Sequence, residues 1–340
     1  MTTFLLDRKQ HLVSLGYLLS DIDNQEIINI SFKAEQNNPW FTQENIKKSL
    51  DAIRVQFLSI EALDRVIDTY YLDDNVLKKT IGLIPAGNIP LVGFHDILCC
   101  YLVGHHIKIK LSEKDTELMR FLIDKINSNH DTPPIKIVEK LEDYDAIIAT
   151  GSDNSARVFK HYFSNVPSII RHNRTSVAVL TGNESFEELT ILGDDVFSFF
   201  GLGCRNVGKI FVPIGYDLGN LFKAFIPYAD IIAHNKYKNN FDYNLALWLL
   251  SNETFYHNDF IAFKISDALH ARIGSINIEY YADINSVIAS LQNVSEKIQC
   301  IIANSELLPM KTLALGIAQY PEILDFPDNV DTIQFLLNLN

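Results

Sequence analysis

Residues 80–112, TIGLIPAGNIPLVGFHDILCCYLVGHHIKIKLS, decide the fold. The apolar run closed by a glycine at 80–87 predicts a strand, and segment 90–104 has helical periodicity and ends at a glycine. Residues 106–112 alternate in the manner of a second strand. Strands that alternate with helices of roughly 10–15 residues indicate βαβ units and a parallel sheet. The stretch therefore predicts an α/β protein.

Similar segments continue along the chain. A helix over 113–129 and a strand over 145–152 follow the opening unit, and residues 1–79 are largely helical in pattern apart from a strand-like run at 27–32. A second α/β set has strands predicted at 176–182, 209–213, 259–265, 275–281 and 298–303, with helices near 184–200 and 241–251. The segment NVPSIIRHNRT (165–175) separates the two sets.

This crossing segment predicts a boundary between two domains. Residues 1–172, which include the helical N-terminal part, are expected to form one domain, and residues 173–320 the other. Residues 321–340 are expected to return to the first domain or to a subunit contact. Ligands bind α/β domains at the carboxyl ends of strands. The prediction is two Rossmann-like α/β domains with the active site in the cleft between them.

Composition excludes several classes of protein. With 47% hydrophobic and 21% charged residues, the 340-residue chain has the composition of a soluble globular protein. It contains no run of about 18 apolar residues that could span a membrane. Charged residues at 7–9 argue against a targeting signal, and four cysteines, two of them adjacent, form no disulfide framework, so a cytoplasmic location is expected. The net charge of −13 argues against nucleic acid as a partner.

The stretch FFGLGCRNVGKIFVP (199–213) combines spaced glycines with a cysteine. A dinucleotide fingerprint needs G-x-G-x-x-G at the start of a helix, whereas here Asn206 stands at the third glycine position and a strand follows. Cys204 is the better candidate, because the neighbouring Arg205 and little steric cover can lower a thiol pKa and leave the thiolate accessible. The alternative is a structural loop cysteine. The other three cysteines lie in apolar segments and are predicted to be buried.

Polar groups in three further places are candidates. A rigid turn in IPAGNIPLVG (84–93) holds Asn88, either as an amide donor to an oxyanion or as a residue that tolerates the turn. Lys110 ends a strand, where a lysine either meets a cofactor or is only solvated. The ATGS turn (149–152) precedes a helix and is either a pyrophosphate site or an ordinary capped turn. His172 is either structural or catalytic, and the ten histidines show no metal-ligand spacing.

Taken in order, these stretches resemble the aldehyde dehydrogenase superfamily and, within it, the acyl-CoA reductase family that includes the fatty-acid reductase of bacterial bioluminescence. PAGNIP (85–90) resembles the turn whose asparagine amide helps to hold the oxyanion, which implies that role for Asn88. FGLGCRNVGKIFVP (200–213) resembles the loop that carries the nucleophile, which implies that role for Cys204.

The same resemblance implies a nicotinamide cofactor, NADPH or NADH. It also implies that residues 1–172 are the cofactor-binding domain and residues 173–320 the catalytic domain. GHHIKIKLSEKD (104–115) resembles the strand whose terminal lysine binds the adenosine ribose, and ATGSDNSAR (149–157) resembles the turn beside the pyrophosphate. The implied cofactor contacts are Lys110, Ser112, Glu113, Thr150, Gly151, Ser152, Pro85, Ala86 and Gly87. No metal is expected, and the protein is expected to be a homo-oligomer, a dimer.

One departure from the superfamily pattern bears on the reaction. Hydrolytic members carry a water-activating glutamate in Glu-Leu-Gly-Gly, whereas the corresponding stretch here, IIRHNRTSVAVL (169–180), has no carboxylate. The resemblance therefore implies reduction of an acyl-CoA thioester to an aldehyde, with coenzyme A released and His172 as proton donor or as the partner that activates Cys204. The alternatives are an oxidative aldehyde dehydrogenase and a non-catalytic binding protein.

Overall fold

The computed structural model of the protein describes residues 4–21, 23–304 and 306–339. The chain divides into two compact units. Unit 1 consists of residues 1–173 and 321–340, and unit 2 of residues 174–320. Within the described ranges, no helix is long and apolar enough to cross a membrane.

Unit 1 begins with four helices, which are α1 (Leu5–Ser20), α2 (Gln25–Asn37), α3 (Gln43–Gln56) and α4 (Ile60–Tyr70). The side chains of Asn24, Thr42 and Ser59 accept backbone N–H groups at the starts of α2, α3 and α4. Such caps satisfy N–H groups that have no partner within the helix. The helical pattern predicted for residues 1–79 is thus confirmed in general.

The strand predicted over 27–32 is wrong, because these residues lie within α2. Ile27, Ser31 and Ala34 are buried at helical spacing, and Asn24 caps the helix from its N-terminal side. A short apolar run fits both the strand and the helix period. The Asn24 cap and the helical spacing of the buried residues favour the helix.

A five-stranded parallel sheet forms the centre of unit 1. Its strands are β1 (Thr80–Ile84), β2 (His106–Ile109), β3 (Ile135–Ile137), β4 (Ala146–Thr150) and β5 (Ser168–Arg171). Helices α5 (Phe94–Val103), α6 (Thr116–Asn127) and α7 (Asp153–Tyr162) lie between them in the chain. The strand order β3-β2-β1-β4-β5 confirms the parallel sheet predicted from the opening stretch. The sequence pattern does not predict β3 or β5, which have only 3 and 4 residues.

Unit 2 contains a six-stranded sheet in the order β11-β6-β7-β10-β9-β8. The strands are β6 (Thr175–Val179), β7 (Val207–Pro213), β8 (Phe255–His257), β9 (Ala262–Ile265), β10 (Ser275–Tyr281) and β11 (Ile298–Ile302). The helices are α8 (Phe186–Phe197), α9 (Gly219–Ala224), α10 (Asn235–Leu250) and α11 (Ile284–Asn293). Only β8 runs antiparallel to its neighbour. This second α/β set was expected from the alternating pattern of the sequence.

The C-terminal segment belongs to unit 1. It contains helix α12 (Thr332–Leu337), and its apolar residues Ile323, Phe326 and Leu336 are buried in the unit 1 core. The His95 ring contacts the Ile323 carbonyl with its Nε2 at 2.8 Å. Both apolar and polar contacts therefore hold this segment to α5 and its neighbours.

Candidate active site

The carboxyl ends of β1, β2 and β4 lie side by side at one edge of the unit 1 sheet. From β1 the chain adds β2 and then β3 on one side of β1, and it then crosses to the other side of β1 to form β4 and β5. The direction of winding therefore reverses between β1 and β4. Such a reversal opens a ligand crevice beyond the carboxyl ends of the strands. All candidate cofactor residues lie at this edge, namely Pro85, Ala86, Gly87, Lys110, Ser112, Glu113, Thr150, Gly151 and Ser152.

The turn that carries Asn88 packs directly on the segment after β2. A Cβ atom added to Gly87 would lie only 2.7 Å from the Ser112 Cβ, so only glycine permits this approach. Lys110 is exposed and Asn88 is half-buried. The structure therefore brings the predicted oxyanion donor and the predicted ribose-binding residues together within unit 1.

Asp115 holds the far end of this turn. Leu91 has a positive φ of 59°, and its N–H donates to the Asp115 carboxylate at 2.7 Å. The Asp115 side chain is buried, and burial raises its pKa to about 8, although the Leu91 hydrogen bond opposes the shift. The sequence analysis missed Asp115, because nothing in the local pattern indicates that it reaches back to the turn.

Asp115 predicts a pH-dependent stability. The folded protein keeps a proton that the unfolded chain releases near pH 4, so the free energy of unfolding falls as pH rises from about 4 to 8. The expected contribution is on the order of 1 kcal/mol per pH unit in that window. Asp115→Asn should remove this contribution and be more stable than the wild type at pH 8. Urea unfolding between pH 5 and pH 9 measures the free energy of unfolding of both proteins, and Asp131→Asn, at an exposed aspartate, is the control. If the free energy of unfolding changes equally with pH in the wild type and in Asp115→Asn, the prediction is wrong.

The turn after β4 leads into helix α7. The Ser152 hydroxyl accepts the Ser155 N–H at 3.2 Å, and the Gly151 N–H donates to the Arg171 carbonyl at 3.2 Å. A Cβ on Gly151 would lie 2.7 Å from the Ser155 Cβ, so the turn can pack this closely on α7 only with glycine at residue 151. The positive end of the α7 dipole points to this turn, which suits a pyrophosphate.

His172 lies beside the same turn. Its Nδ1 is 3.1 Å from the Asn173 carbonyl and 3.8 Å from an Asp153 carboxylate oxygen. The ring is half-buried. The structure thus places His172 with the predicted pyrophosphate turn, and its role as proton donor or as the partner of Cys204 stays a prediction.

Arg171, next to His172, has a structural role that the sequence does not show. Its guanidinium is buried, with Nη1 donating to Asp96 at 2.5 Å and Nη2 to the Thr332 hydroxyl at 3.0 Å. Asp96 lies on α5 and Thr332 begins α12. The arginine therefore joins β5, α5 and the C-terminal helix.

Cys204 lies on the loop that precedes β7, at the amino-terminal edge of the unit 2 sheet. The expectation that ligands bind at the carboxyl ends of the strands stays a prediction, and Cys204 lies at the opposite edge of its own sheet. Cys204 is half-buried, whereas Cys99, Cys100 and Cys300 are buried, as predicted. Burial raises the pKa of the Cys99 and Cys100 thiols well above the ordinary value, so these two remain unreactive near neutral pH.

The backbone ahead of Cys204 is strained. Phe199, Phe200 and Gly201 have φ values of 51°, 59° and 75° in succession. Each non-glycine residue in this region costs on the order of 1–3 kcal/mol and persists only where the surroundings fix it. The two phenylalanine side chains are buried, and the Phe200 ring centroid lies 4.4 Å from that of His234. Packing of these aromatic rings holds the strained turn in place.

Asn206 ties the same loop to the end of α8. Its buried carboxamide donates to the carbonyls of Asp195 and Ser198 at 3.1 and 2.9 Å, and its oxygen accepts the Gly203 N–H at 2.8 Å. The residue that breaks the glycine fingerprint is therefore a structural clamp on the loop. Gly203 directly precedes Cys204, so the clamp also fixes the N-terminal neighbour of the predicted nucleophile.

Arg205, the cation beside Cys204, is directed toward β11. Its Nη1 lies 3.4 Å from the Cys300 Sγ and 3.3 Å from the Ala318 carbonyl. Among the residues that the structure describes, no three His, Cys, Asp or Glu side chains gather as metal ligands would.

Solved structures of aldehyde dehydrogenases resemble this fold, whereas no family model and no curated protein matches the sequence. An indole-3-acetaldehyde dehydrogenase mutant from P. syringae, in complex with NAD+ and IAA, has a TM-score of 0.67 and 11% identity over 89% of this chain and 73% of its own. The Mycobacterium tuberculosis aldehyde dehydrogenase complexed with NAD+ has a TM-score of 0.66 and 12% identity over 92% and 77%. Such low identities establish the fold alone. The chain has the aldehyde dehydrogenase fold that its sequence predicted.

Proposed function

We propose that the protein is an NAD(P)H-dependent acyl-CoA reductase that forms its aldehyde product through an acyl-cysteine at Cys204. The observation that carries the proposal is the setting of Cys204. It is the one half-buried cysteine of the four, all of which the structure describes, and it follows a strained turn. Strained backbone clusters at functional sites, where it orients reactive groups.

The carboxyl edge of the unit 1 sheet fits a nicotinamide dinucleotide. The crevice at the β1–β4 reversal, the start of α7 and the exposed Lys110 offer the groups that a pyrophosphate and a ribose require. We assign the ribose to Lys110, with Ser112 and Glu113 beside it, and the pyrophosphate to residues 150–152. The NAD+ complexes of the similar structures support this class of cofactor. When bound, the reduced nicotinamide supplies a hydride.

In the first half of the reaction, the Cys204 thiolate attacks the thioester carbonyl carbon, and the C=O electron pair moves to oxygen. We assign stabilisation of this oxyanion to the Asn88 side-chain amide and to the Cys204 backbone N–H. When the carbonyl re-forms, the bond to the coenzyme A sulfur breaks. Coenzyme A leaves as a thiolate that takes up a proton, and the acyl group remains on Cys204 as a thioester.

In the second half, the acyl carbon on Cys204 accepts the hydride, and the C=O electron pair again moves to oxygen. The same two donors hold this oxyanion. Its collapse breaks the bond to the Cys204 sulfur, which releases the aldehyde and regenerates the thiolate. The acyl group is thus reduced by two electrons, and Cys204 ends as it began.

The absence of a carboxylate from residues 169–180 supports reduction over oxidation. A hydrolytic enzyme must activate water to release its acyl group as acid. In this stretch Arg171 is buried in its ion pair with Asp96, and no acidic side chain is present to act as a base. An acyl-cysteine without such a base survives long enough to be reduced.

Covalent labelling tests the proposal. Purified protein is mixed with acetyl-CoA, octanoyl-CoA or myristoyl-CoA without cofactor, and the intact mass is recorded. We expect one acyl adduct that is absent from Cys204→Ala, present in Cys300→Ser, and discharged as aldehyde when NADPH or NADH is added. Failure of all three thioesters to form an adduct would overturn the proposal in favour of a binding protein. Rapid release as free acid would favour an aldehyde dehydrogenase working oxidatively.

A further inference from the structure

Two irregularities in the unit 2 sheet meet where the Cys204 loop enters it. The register between β6 and β7 shifts between Ser176 and Val177. The register between β11 and β6 shifts between Ile298 and Ile301. Bulges of this kind interrupt the backbone ladder and are common beside active sites, where they redirect a side chain. Some backbone groups at this point must therefore find partners outside the regular ladder.

The Ser176 hydroxyl provides such a partner to a strand and to the Cys204 loop at once. It accepts the Cys300 N–H of β11 at 3.1 Å and donates its proton to the Cys204 carbonyl at 3.0 Å. In addition, the Ser176 N–H donates to the Asn206 carbonyl at 3.1 Å. Ser176 is 0% exposed, so no water competes for these hydrogen bonds. A hydroxyl has one proton, and here it is committed to the residue that carries the thiol.

We infer that Ser176 is a positioning residue for Cys204. This role rests on the proposed function only in one respect, namely that Cys204 is the nucleophile of the proposed reaction. The hydroxyl fixes the peptide that follows Cys204, and the Asn206 N–H, which donates to the Gly203 carbonyl at 3.1 Å, fixes the peptide before it. With the peptide groups on both sides held, the Cα–Cβ direction of Cys204 is set. The thiol sulfur is then limited to the few staggered rotamers about one fixed Cα–Cβ bond.

This role differs from that of an ordinary buried serine. Ser275, at the start of β10 in the same sheet, is also buried and donates to a backbone carbonyl, that of Arg272, at 2.9 Å. Both serines satisfy buried carbonyls, and their removal should cost similar stability. Only Ser176 bonds to the cysteine loop, so only its removal should change the chemistry of the thiol.

The experiment measures alkylation of Cys204 by iodoacetamide, read as one adduct by intact mass and absent in Cys204→Ala. Its second-order rate constant is followed from pH 6 to pH 10 for the wild type, Ser176→Ala, Ser176→Thr and Ser275→Ala. We expect Ser176→Ala to change the plateau rate by tenfold or more, since about 1 Å of misplacement can cost as much as 100-fold, or to shift the pH at which the plateau is reached by about one unit. Ser176→Thr keeps the hydroxyl and should recover much of the wild-type profile.

A Ser176→Ala profile that coincides with that of Ser275→Ala would overturn the inference. Should Ser176→Ala fail to fold, Ser176→Val compared with Ser176→Thr gives the same comparison, because these two side chains share a shape and only threonine carries the hydroxyl. The alkylation assay involves no acyl-CoA. A wild type that forms no acyl adduct but whose alkylation depends on Ser176 would refute the proposed function and leave the positioning role intact.

Discussion

Replacing Cys204 with alanine is expected to lower the rate of aldehyde formation from acyl-CoA by at least about 10⁴-fold, the scale on which removal of a covalent nucleophile acts. Without the thiol, no covalent acyl-enzyme forms, and water or hydride would have to react with the bound thioester directly. Oxidation of NADPH followed by absorbance measures the rate. The effect should lie in kcat, because alanine leaves the substrate and cofactor contacts unchanged.

Cys300→Ser is the matched control for this prediction. Cys300 is buried, and its sulfur contacts Arg205, so serine keeps an acceptor at the same position. We expect the activity of Cys300→Ser to stay close to that of the wild type. A Cys204→Ala protein that retains more than about one hundredth of the activity would show that the chemistry does not pass through an acyl-cysteine.

Asp96→Ala is expected to destabilise unit 1 by about 3–5 kcal/mol, because it leaves the buried Arg171 guanidinium without its carboxylate. The side chains of Arg171 and Asp96 are 4% and 9% exposed, so water cannot replace the lost partner. Urea unfolding measures the effect. In a Trp248→Phe background, the fluorescence of Trp40 reports unit 1 alone, since these are the only tryptophans of the chain.

Two controls separate the burial of this pair from the loss of an ion pair in general. Glu322→Gln breaks the Arg65–Glu322 pair, which also joins the C-terminal segment to a helix but is 50% and 62% exposed. Its expected cost is below about 1 kcal/mol. The double variant Asp96→Leu with Arg171→Met removes both charges and should recover much of the loss. If Asp96→Ala costs no more than Glu322→Gln, the ion pair does not hold the C-terminal helix.

The fold could be predicted where the sequence carries long, unambiguous periods. The opening βαβ stretch contains a wholly buried helix and two strands that end at recognisable turns, and all three elements form as expected. The run at 27–32 failed because six residues cannot distinguish two periods, whereas the cap at Asn24 lies outside the run. Strands β3 and β5 are too short to leave a pattern of their own.

Some residues of the candidate site could likewise be predicted from the sequence, and others could not. Asn88, Lys110 and the 150–152 turn could be predicted as candidates because each lies at or just after the end of a strand, a position that local sequence shows. Ser176 and Asp115 act on backbone groups 28 and 24 residues away, respectively. Only the folded chain reveals such contacts. Cys204 could be singled out from its neighbours, and the strand predicted at 209–213 already placed its loop before β7.

The nested arrangement of the chain orders events during synthesis. Arg171 and its partner Thr332 are 161 residues apart, and all of unit 2 lies between them. At translation rates of about 5–20 residues per second, α12 is synthesised on the order of 10–30 s after Arg171. Unit 2 emerges as an uninterrupted segment within that interval and can fold while unit 1 is unfinished. The faces of α5 and β5 that pack on the C-terminal segment therefore stay uncovered until residues 321–340 are synthesised.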